Sequence, residues 1–494
     1  MNTQFAVFVF ITAAIAYLTF RVCRRMVLEQ ESERASAEVN ASQTEASQNE
    51  SGNAEYFLAG RNLSWYFIAG SITLTNLSTD QLVGMNGNQM LLMAWWELAA
   101  VAGLLILAFV FVPIYYRNNC TTTTELLERR YGEKGLRSAV SVMFIAGNVL
   151  LFLPVNLYTG SLFLQSMFGL ETPIFAISIA LALLGSSYAI FGGLRAVAVS
   201  DSISGVGLLS LSLLVVWLSL QAIDFDFTGI PADRLTLIGG PDSPIPWTTL
   251  FTGMLFIQIF YWGTNQTITQ RAMAAPNVKE AQRGVLAAAG IRLLIVPAII
   301  VIPGICAYKL FGDLGDATYG RVVADLLPDW LSGAFAAMMV AAVLTTFNSN
   351  LNSAVTLYVV DLHEPYFKGT PNISRLNFLV SIGFVLLAIA LVPVYAGADS
   401  IINLVQQLWG LLSMPILSVF IVGLIFSNVA ALAAGLSLIA GVSLYAVFTF
   451  IWTPAHYIHL MAITLVFCVS LALALNRFVF RQRASIRFTQ AEPV

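Results

Sequence analysis

Apolar runs long enough to cross a bilayer as a helix follow one another along the whole of this chain. A hydropathy window of about 19 residues predicts about 13 membrane helices. The predicted spans are 4–23, 64–88, 91–115, 138–168, 172–191, 194–222, 247–268, 282–308, 325–362, 375–396, 401–426, 427–452 and 455–476. The pattern therefore predicts an all-α polytopic membrane protein.

The composition supports this class and excludes several others. Of the 494 residues, 58% are hydrophobic and only 10% are charged, which is typical of membrane proteins. No phosphate-binding loop of the form G-x-x-x-x-G-K-[ST] occurs, so a pump driven by its own ATP hydrolysis is not expected. The cysteines and histidines are scattered without the spacing of metal ligands or of a disulfide framework. We expect neither an enzyme nor a nucleic-acid-binding protein.

The positions of lysine and arginine predict the orientation of the chain. If the N-terminus lies outside, only Arg234, Lys309 and Arg321 of the 24 Lys and Arg residues fall in outer loops, and Arg292 falls within a helix. All the others then lie in inner loops, as the positive-inside rule requires. We therefore expect a multi-pass protein of the plasma (inner) membrane with its N-terminus outside and its C-terminus in the cytoplasm.

A polar stretch, TLTNLSTDQ at residues 73–81, lies at membrane depth within the predicted span 64–88. Its Thr, Asn, Ser and Asp side chains compete with the helix for backbone hydrogen bonds. Backbone that leaves helical geometry in hydrocarbon must be satisfied by protein or by a water-filled cavity. We therefore expect a broken helix that lines a solute or ion pathway. The alternative is an intact helix whose polar face packs against its neighbours.

A second polar cluster, VLTTFNSNLNSAVT at residues 343–356, lies in the otherwise apolar span 325–362. Hydroxyl and carbonyl oxygens suit a hard cation. Serine and threonine also join membrane helices by ordinary hydrogen bonds, so the hydroxyls alone do not define an ion site. The cluster indicates ion binding if it faces the carbonyls of the broken helix.

A series of motifs resembles the sodium/solute symporter family. In chain order they are YFLAGRNLSW, TNLSTDQLVGMNG, WWELAA, FGGLRAVAVSDSISG, FYWGTNQTITQRAMAA, EAQRGVLAAAGIRLLIVPAIIVIPGICAY and TTFNSNLNSAVTLYVVDLHEPY. The resemblance runs from about Tyr56 to Phe426 and is strongest to the sodium-glucose and sodium-galactose cotransporter branch. It implies a leucine-transporter-type fold of five plus five helices in two inverted repeats.

Hydropathy and this resemblance together predict seven parts. They are an extra transmembrane helix (1–23), a polar cytoplasmic linker of disordered composition (24–55), the first five-helix repeat (56–222), an extracellular or periplasmic loop (223–246), the second repeat (247–426), two C-terminal transmembrane helices (427–476) and a basic cytoplasmic tail (477–494).

The resemblance implies a co-transported sodium ion and a set of ligands for it. Backbone carbonyls of the broken helix and of a later helix, together with two adjacent hydroxyls, form the family's site. Matched residue by residue, the ligands are Leu74, Leu77 and Ala342 through their carbonyls and Thr345 and Thr346 through their side chains. Two serines are usual where this chain has two threonines, which keep the oxygen. Asp201 matches an aspartate that the family places near the ion path.

The resemblance also implies a solute pocket of polar side chains. The matching positions are Gln81, Glu97, Gln258, Arg292, Asn403 and Gln406, with Tyr261 at an aromatic gate. Arg292 stands where lysine is usual, and its bidentate guanidinium favours adjacent hydroxyls or a carboxylate. Ala100 stands where a hydroxyl-bearing contact is expected. Without the family, Glu97 and Arg292 still stand out as ionisable residues in hydrophobic spans. They line a cavity or form a buried pair that joins two helices.

The expected function is sodium-coupled symport of a small polar solute by alternating access, with a monosaccharide such as galactose or glucose as the first candidate. An organic anion, a polyol or an amino acid on the same fold is the alternative. A solute sensor without transport is a further alternative and would be expected to carry a signalling domain, whereas the residues after Arg477 read only FVFRQRASIRFTQAEPV. The number of sodium ions and the oligomeric state stay open.

Overall fold

A computed structural model describes residues 3–38, 58–77, 79–367 and 373–486. Within these ranges the helices are α1 Thr3–Glu38, α2 Trp65–Asn76, α3 Thr79–Gly87, α4 Trp95–Ile106, α5 Val112–Arg117, α6 Glu125–Tyr131, α7 Lys134–Ala146, α8 Leu153–Phe168, α9 Ile174–Ala222, α10 Gly253–Gly263, α11 Gln266–Met273, α12 Val278–Leu294, α13 Val296–Phe311, α14 Thr318–Leu326, α15 Asp329–Thr356, α16 Glu364–Tyr366, α17 Ile373–Tyr395, α18 Ile401–Ile425, α19 Ala431–Phe450 and α20 Tyr457–Phe478. Two short strands, β1 Phe426–Ser427 and β2 Ser485–Ile486, pair antiparallel.

Shorter helical segments connect these elements. The π-helical segments Leu107–Phe111, Gly147–Phe152 and Leu357–His363 continue α4 into α5, α7 into α8 and α15 into α16. The 3₁₀ segments are Ala59–Arg61, Leu91–Ala94, Ala232–Arg234, Trp247–Phe251 and Gly315–Ala317.

The polytopic helical fold is confirmed. In the described ranges, 10 helices are long and apolar enough to cross a membrane. The other three predicted spans are not separate long helices: 64–88 and 247–268 are interrupted, and 172–191 continues into 194–222. The count of about 13 crossings stays a prediction.

The two predicted spans 172–191 and 194–222 form one helical run, α9, because no proline between them removes a backbone donor. The run is nevertheless not straight. Gly185 packs against Phe347 of α15, and Gly207 packs against Met338 of the same helix. Along a straight helix the two glycines would be about 33 Å apart, but their partners on α15 would be only about 14 Å apart. The helical run is therefore bent between the two glycines.

The first helix is longer than the apolar run that predicts it. We expected a disordered linker from residue 24, but α1 continues to Glu38. Residues 24–38, RRMVLEQESERASAE, contain no Gly or Pro and are rich in Arg, Glu and Ala, which favour a helix. Residues 39–55 of the predicted linker lie outside the described ranges.

The ends of the helices define two faces of the molecule. We call the face that carries α6 and the α11–α12 connection the inner end, after the side on which the charge pattern places it. At this end the hydroxyl of Tyr116 donates to the carbonyl of Ala275 at 2.8 Å, and the amide of Leu63 donates to the carbonyl of Ala274 at 3.0 Å. The start of the broken helix is thereby tied to the α11–α12 connection.

A buried carboxylate, Asp361, organises the rest of the inner end. It lies in the π-helical segment after α15 and is fully buried. Arg137 of α7 donates to its Oδ1 from Nε at 2.9 Å and from Nη2 at 2.6 Å. Thr122 donates to Oδ1 at 2.8 Å, and the hydroxyls of Thr124 and Ser141 donate to Oδ2. The network joins α15, α7 and the α5–α6 loop, because so many donors converge on one buried charge.

Replacing Asp361 with Asn should destabilise the protein strongly. The neutral amide would leave the Arg137 guanidinium with less charge compensation and would meet the donors of the network with its own N–H group. We expect a loss of about 3–5 kcal/mol in the free energy of unfolding, as for other buried pairs that lose one partner. Thermal denaturation in detergent, followed by size-exclusion chromatography, measures this change.

The matched control for that experiment is Asp325→Asn. Asp325 accepts from Arg321 at 2.8 Å on the surface of α14. We expect its loss to change stability by less than about 1 kcal/mol, because exposed pairs contribute little. Equal melting temperatures for Asp361→Asn and Asp325→Asn would contradict the role assigned to the network.

Candidate solute and sodium sites

Two interrupted helices meet in the interior of the protein. The first interruption separates α2 from α3, with Leu77 in non-helical geometry at the end of α2. The second separates α10 from α11, where the side chain of Asn265 accepts from the amide of Thr267 at 3.1 Å and starts the new helix. The first interruption follows from the polar stretch in the sequence. The second was not expected, because the apolar run 247–268 reads as one helix.

A small cavity, of about 50 Å³, lies between these interruptions. It is lined by Asn76, Asp80, Gln81, Met85, Trp96, Glu97, Phe152, Ile257, Gln258, Tyr261, Trp262, Ile402, Val405, Gln406 and Trp409. Aromatic and aliphatic walls with a few amide and carboxylate groups are typical of a site for a small polar molecule.

One wall of the cavity is held by a buried ion pair. Arg292 of α12 lies 2.6 Å from Glu97 of α4, and both side chains are at most 1% exposed. The amide of Gln81 donates to Glu97 at 2.8 Å, and Arg292 donates to Gln81 at 3.3 Å and to the carbonyl of Thr73 at 3.2 Å. The guanidinium also lies 4.9 Å from the ring of Trp262. The pair links α12 and α4 to both halves of the broken helix.

Side chains of α10 form a second set of hydrogen bonds at the cavity wall. Gln258 donates from Nε2 to the carbonyl of Trp96 at 2.9 Å and accepts from the indole of Trp262 at 2.9 Å. The hydroxyl of Tyr261 donates to Asn76 at 2.6 Å, next to the interruption of the first helix. Both contacts hold aromatic rings in fixed positions at the cavity wall.

The structure brings most of the predicted solute-binding residues to one place. Gln81, Glu97, Gln258, Tyr261 and Gln406 line the cavity. Arg292 does not line it but stands directly behind Glu97. Asn403 also does not line it.

The position of Asn403 follows from helical geometry. The residues of α18 that line the cavity are Ile402, Val405, Gln406 and Trp409, which share one helix face by their spacing. Asn403 lies on the neighbouring face. The same spacing in the sequence could have identified Trp409, which the motif comparison missed together with Asn76 and Asp80.

The predicted sodium ligands lie near one another and are buried. Leu74, Leu77, Ala342, Thr345 and Thr346 are all at most 4% exposed. Thr346 lies with its hydroxyl 3.4 Å from the backbone oxygen of Thr75, so the hydroxyls of α15 do face the carbonyls at the end of α2. Thr345 donates to the carbonyl of Ala342 at 3.1 Å. A hydroxyl of α15 and a carbonyl of α2 thus approach each other in the protein interior.

Two residues outside the predicted ligand set contact this cluster. Ser349 donates to the carbonyl of Thr345 at 2.6 Å and lies 3.4 Å from the hydroxyl of Thr75. Arg271 of α11, fully buried, donates to Ser349 and to Ser71, the latter at 2.9 Å. The apolar pattern ends before Arg271, so sequence alone places this arginine in an inner loop. Asp201 lies outside the described side chains.

The outer end of the broken helix is covered by the loop that follows α9. Arg234 of this loop donates to the carbonyl of Asn88, just beyond α3, at 3.3 Å, and to Asp313 at 3.1 Å. Trp95 donates to the carbonyl of Leu237 at 2.7 Å, which gives it a role in the loop contact and not in the cavity. Burial raises the pKa of the nearby Asp316 to about 6, and its carboxylate accepts from the first amide of α18.

The family model for the sodium:solute symporter family matches residues 56–441. The chain belongs to the sodium:solute symporter family. It is 34% identical over 461 residues to the uncharacterized symporter YidK of Escherichia coli (strain K12), with 87% of this chain and 79% of that protein covered. It is 28% identical to the sodium/glucose cotransporter of Vibrio parahaemolyticus, with 84% and 82% covered.

Eukaryotic relatives are longer than this chain. The sodium/myo-inositol cotransporter 2 of Mus musculus is 26% identical, and the match covers 79% of this chain but 64% of the mouse protein. This chain therefore spans slightly less than two thirds of that relative.

Solved structures share the fold at low identity. A sodium-coupled sialic acid symporter in a substrate-bound, outward-open state has a TM-score of 0.79 at 17% identity, with 100% of both chains covered. MhsT in complex with L-phenylalanine has a TM-score of 0.51 at 14% identity, with 83% of this chain and 98% of that chain covered. The leucine-transporter fold implied by the motifs is confirmed. Members of this symporter family are transporters and not enzymes, and sodium is the co-transported ion.

Replacing Thr346 with Ala tests the sodium ligand set. The variant removes one oxygen from the cluster, so we expect the sodium concentration that gives half-maximal stabilisation to rise about tenfold, which equals about 1.4 kcal/mol. Thermal denaturation of the purified protein in sodium chloride and in choline chloride measures the effect without knowledge of the solute. Thr346→Ser keeps the hydroxyl and should behave like the wild type. Unchanged sodium dependence in Thr346→Ala would remove this residue from the ligand set.

Two substitutions on one helix test the boundary of the solute cavity. Gln406→Ala removes a side chain from the cavity wall and should weaken solute binding by about 1–3 kcal/mol if a hydrogen bond to the solute is lost. Asn403→Ala, on the neighbouring face of α18, should change binding little. Isothermal titration or uptake into proteoliposomes compares the two variants at saturating sodium. A larger loss for Asn403→Ala than for Gln406→Ala would mean that α18 presents a different face to the solute.

Proposed function

We propose that this symporter takes up a neutral polyhydroxylated solute with sodium, and that a monosaccharide such as galactose or glucose is the main substrate. The observation that carries this proposal is the ion pair between Arg292 and Glu97. Because each charge compensates the other, this wall of the cavity is close to neutral. A sugar hydroxyl donates to a carboxylate oxygen or accepts from an amide without needing a counter-charge.

The same pair argues against an anionic solute. The Arg292 side chain is fully buried, and its Nη groups already contact Glu97, Gln81 and the carbonyl of Thr73. A carboxylate would have to displace Glu97 from its arginine, and Asp80 adds a second acidic side chain to the cavity lining. Like charges at such distances disfavour binding in a low-dielectric site. An organic anion is therefore a weaker candidate than the arginine alone indicates.

The chemistry of the remaining walls supports a solute that carries hydroxyl groups. The amides of Gln81, Gln258 and Gln406 offer both donors and acceptors around the cavity, and the rings of Trp262 and Trp409 offer flat apolar surfaces. Sugars present hydroxyls at their edges and C–H groups on their faces, so a mixed amide and aromatic lining fits both.

A cyclic polyol is the second candidate. The relatives include a sodium/glucose cotransporter and several sodium/myo-inositol cotransporters at comparable identities. A cyclohexane polyol also carries ring hydroxyls and no charge, so the charges of the cavity do not discriminate against it. An amino acid carries both charges and would need a partner for its ammonium as well as its carboxylate.

Coupling follows from the place of the sodium cluster. An ion held between the end of α2 and the hydroxyls of α15 would fix the broken helix, whose continuation α3 carries Gln81 in the cavity wall. Each ligand would then raise the affinity for the other. With the N-terminus outside and the inner end in the cytoplasm, a tenfold sodium gradient supplies about 1.4 kcal/mol, and 100 mV supplies about 2.3 kcal/mol per charge. At one ion per solute this sustains accumulation of roughly several hundred-fold.

Replacing Arg292 with Lys separates a sugar from an anion. For a neutral sugar the single ammonium still compensates Glu97, so we expect sodium-dependent galactose or glucose uptake within about threefold of the wild type, or less than about 0.7 kcal/mol. For a carboxylate that needs the guanidinium fork, uptake would collapse. Arg283→Lys, on the exposed inner end of the same helix, is the matched control.

Four labelled solutes complete the measurement in proteoliposomes: galactose, glucose, myo-inositol and galacturonate. Sodium-dependent uptake of galactose or glucose above the other two supports the proposal. Uptake led by myo-inositol would move the substrate to the polyols. Uptake led by galacturonate that is lost in Arg292→Lys would contradict the neutral-solute proposal while leaving sodium symport intact.

A further inference from the structure

A second cavity, of about 410 Å³, opens at the inner end, away from the solute cavity. It lies between α6, the turn that joins β1 to α19, and the segment that follows α20. Its lining residues are Arg130, Tyr131, Glu133, Gly423, Phe426, Asn428, Val429, Ala430, Ala431, Leu432, Phe480 and Gln482. We call it the inner crevice.

The walls of the inner crevice are preorganised. The hydroxyl of Tyr131 donates to the carbonyl of Val419 at 2.8 Å and fixes one side. The side chain of Asn476 donates to the carbonyls of Asn428 and Gln482, and it accepts from the amide of Ala430 at 2.9 Å. Together with the pairing of β1 and β2, these bonds fold the end of the described chain against the start of α19.

The crevice is surrounded by positive charge. Arg130 lines it, and its Nε is buried without a hydrogen-bond partner in the described part of the chain. Arg481 and Arg483, which flank the lining residue Gln482, are exposed, as are Arg129 and Arg477. None of these five arginines forms an ion pair within the described ranges, and Glu133 is the one acidic residue that lines the crevice. An anion would be attracted to this position.

The crevice lies where apolar surface gives way to charged surface. α19 begins and α20 ends here, and both helices are candidate membrane spans. Leu432, Phe478 and Val479 are 68%, 79% and 60% exposed, as expected for side chains that face lipid tails. Phe426 and Phe480 add apolar surface inside the crevice. A ligand that fits both surfaces has a negative head and apolar tails.

The start of α19 adds to the attraction. Its N-cap is Ala430, which offers no side-chain acceptor to the open amide groups of the first turn. Open amides and the helix dipole favour a negative charge at that end. Ala430, Ala431 and Leu432 all line the crevice, so this helix start faces the same space as Arg130.

We propose that the inner crevice binds the phosphate of an anionic phospholipid headgroup, with the acyl chains lying along Leu432 and Phe478. Arg130 and the first turn of α19 hold the phosphate from inside, and Arg481 and Arg483 hold it from the exposed rim. The lipid joins α6 to α19 and to the segment after α20. It therefore stabilises the inner end of the protein independently of solute and sodium.

The test uses the full-length protein purified in detergent, with thermal denaturation and native mass spectrometry as readouts. We expect phosphatidylglycerol to raise the melting temperature and to stay bound, whereas phosphatidylcholine and inorganic phosphate should not raise it. Arg130→Gln and Arg481→Gln should each weaken phosphatidylglycerol binding about fivefold or more, because each removes one cation near the headgroup. Arg481 is exposed, so its variant should fold even if the Arg130 variant does not.

The matched control is Arg283→Gln, which removes an exposed arginine at the inner end outside the crevice and should retain wild-type lipid binding. Equal stabilisation by inorganic phosphate would show a free-anion site and overturn the lipid assignment. Equal stabilisation by phosphatidylcholine, or unchanged binding in Arg481→Gln, would overturn the proposal as a whole.

Discussion

The structure depends on one constraint: backbone groups that leave a helix at membrane depth must find partners without water. Two helices are interrupted in the interior of this protein. Side chains of the surrounding elements form hydrogen bonds with backbone groups near both interruptions. Arg292 donates to the carbonyl of Thr73 near the first break, and Asn265 caps the helix that follows the second. The hydroxyls of α15 approach the carbonyl of Thr75. The helix breaks also give rise to the candidate sites, because backbone carbonyls that are not bonded within a helix can accept from a side chain, bind an ion or accept from a solute.

The buried pair of Arg292 and Glu97 follows from the same constraint. A single charge at this depth is costly, and its pairing makes a neutral wall that still offers hydrogen bonds. The pair also ties α12 and α4 to both sides of the break through Thr73 and Gln81. Under the proposed function, a cavity built in this way would select solutes by hydroxyl geometry more than by charge. In the structure Arg292 contacts protein groups, namely Glu97, Gln81 and the carbonyl of Thr73.

The two ends of the molecule are held by different chemistry. At the inner end a buried carboxylate accepts from donors of α7 and of the α5–α6 loop, and charge compensation stabilises that junction. At the outer end, partly exposed contacts of Arg234 and Trp95 hold a long loop over the end of the broken helix. Exposed contacts exchange with water at little cost.

The sequence alone determined the membrane class, the family and the place of the first helix break, because hydropathy and the polar stretch at residues 73–81 are local signals. It also identified Gln81, Glu97, Gln258, Tyr261 and Gln406, all of which meet in one cavity. It did not reveal the second break, the burial of Arg271 or the contribution of Trp409. These depend on which residues of distant segments pack together.

Asn403 and Gln406 lie three positions apart on one helix, yet only Gln406 lines the cavity. The rotation of α18 against its neighbours decides which face of the helix is turned to the cavity. Whether Arg292 meets a solute or a partner is decided in the same way. The sequence shows that residue 292 is an arginine. The carboxylate that neutralises it, Glu97, lies 195 residues away in the chain, and only the packed structure brings the two side chains within 2.6 Å of each other.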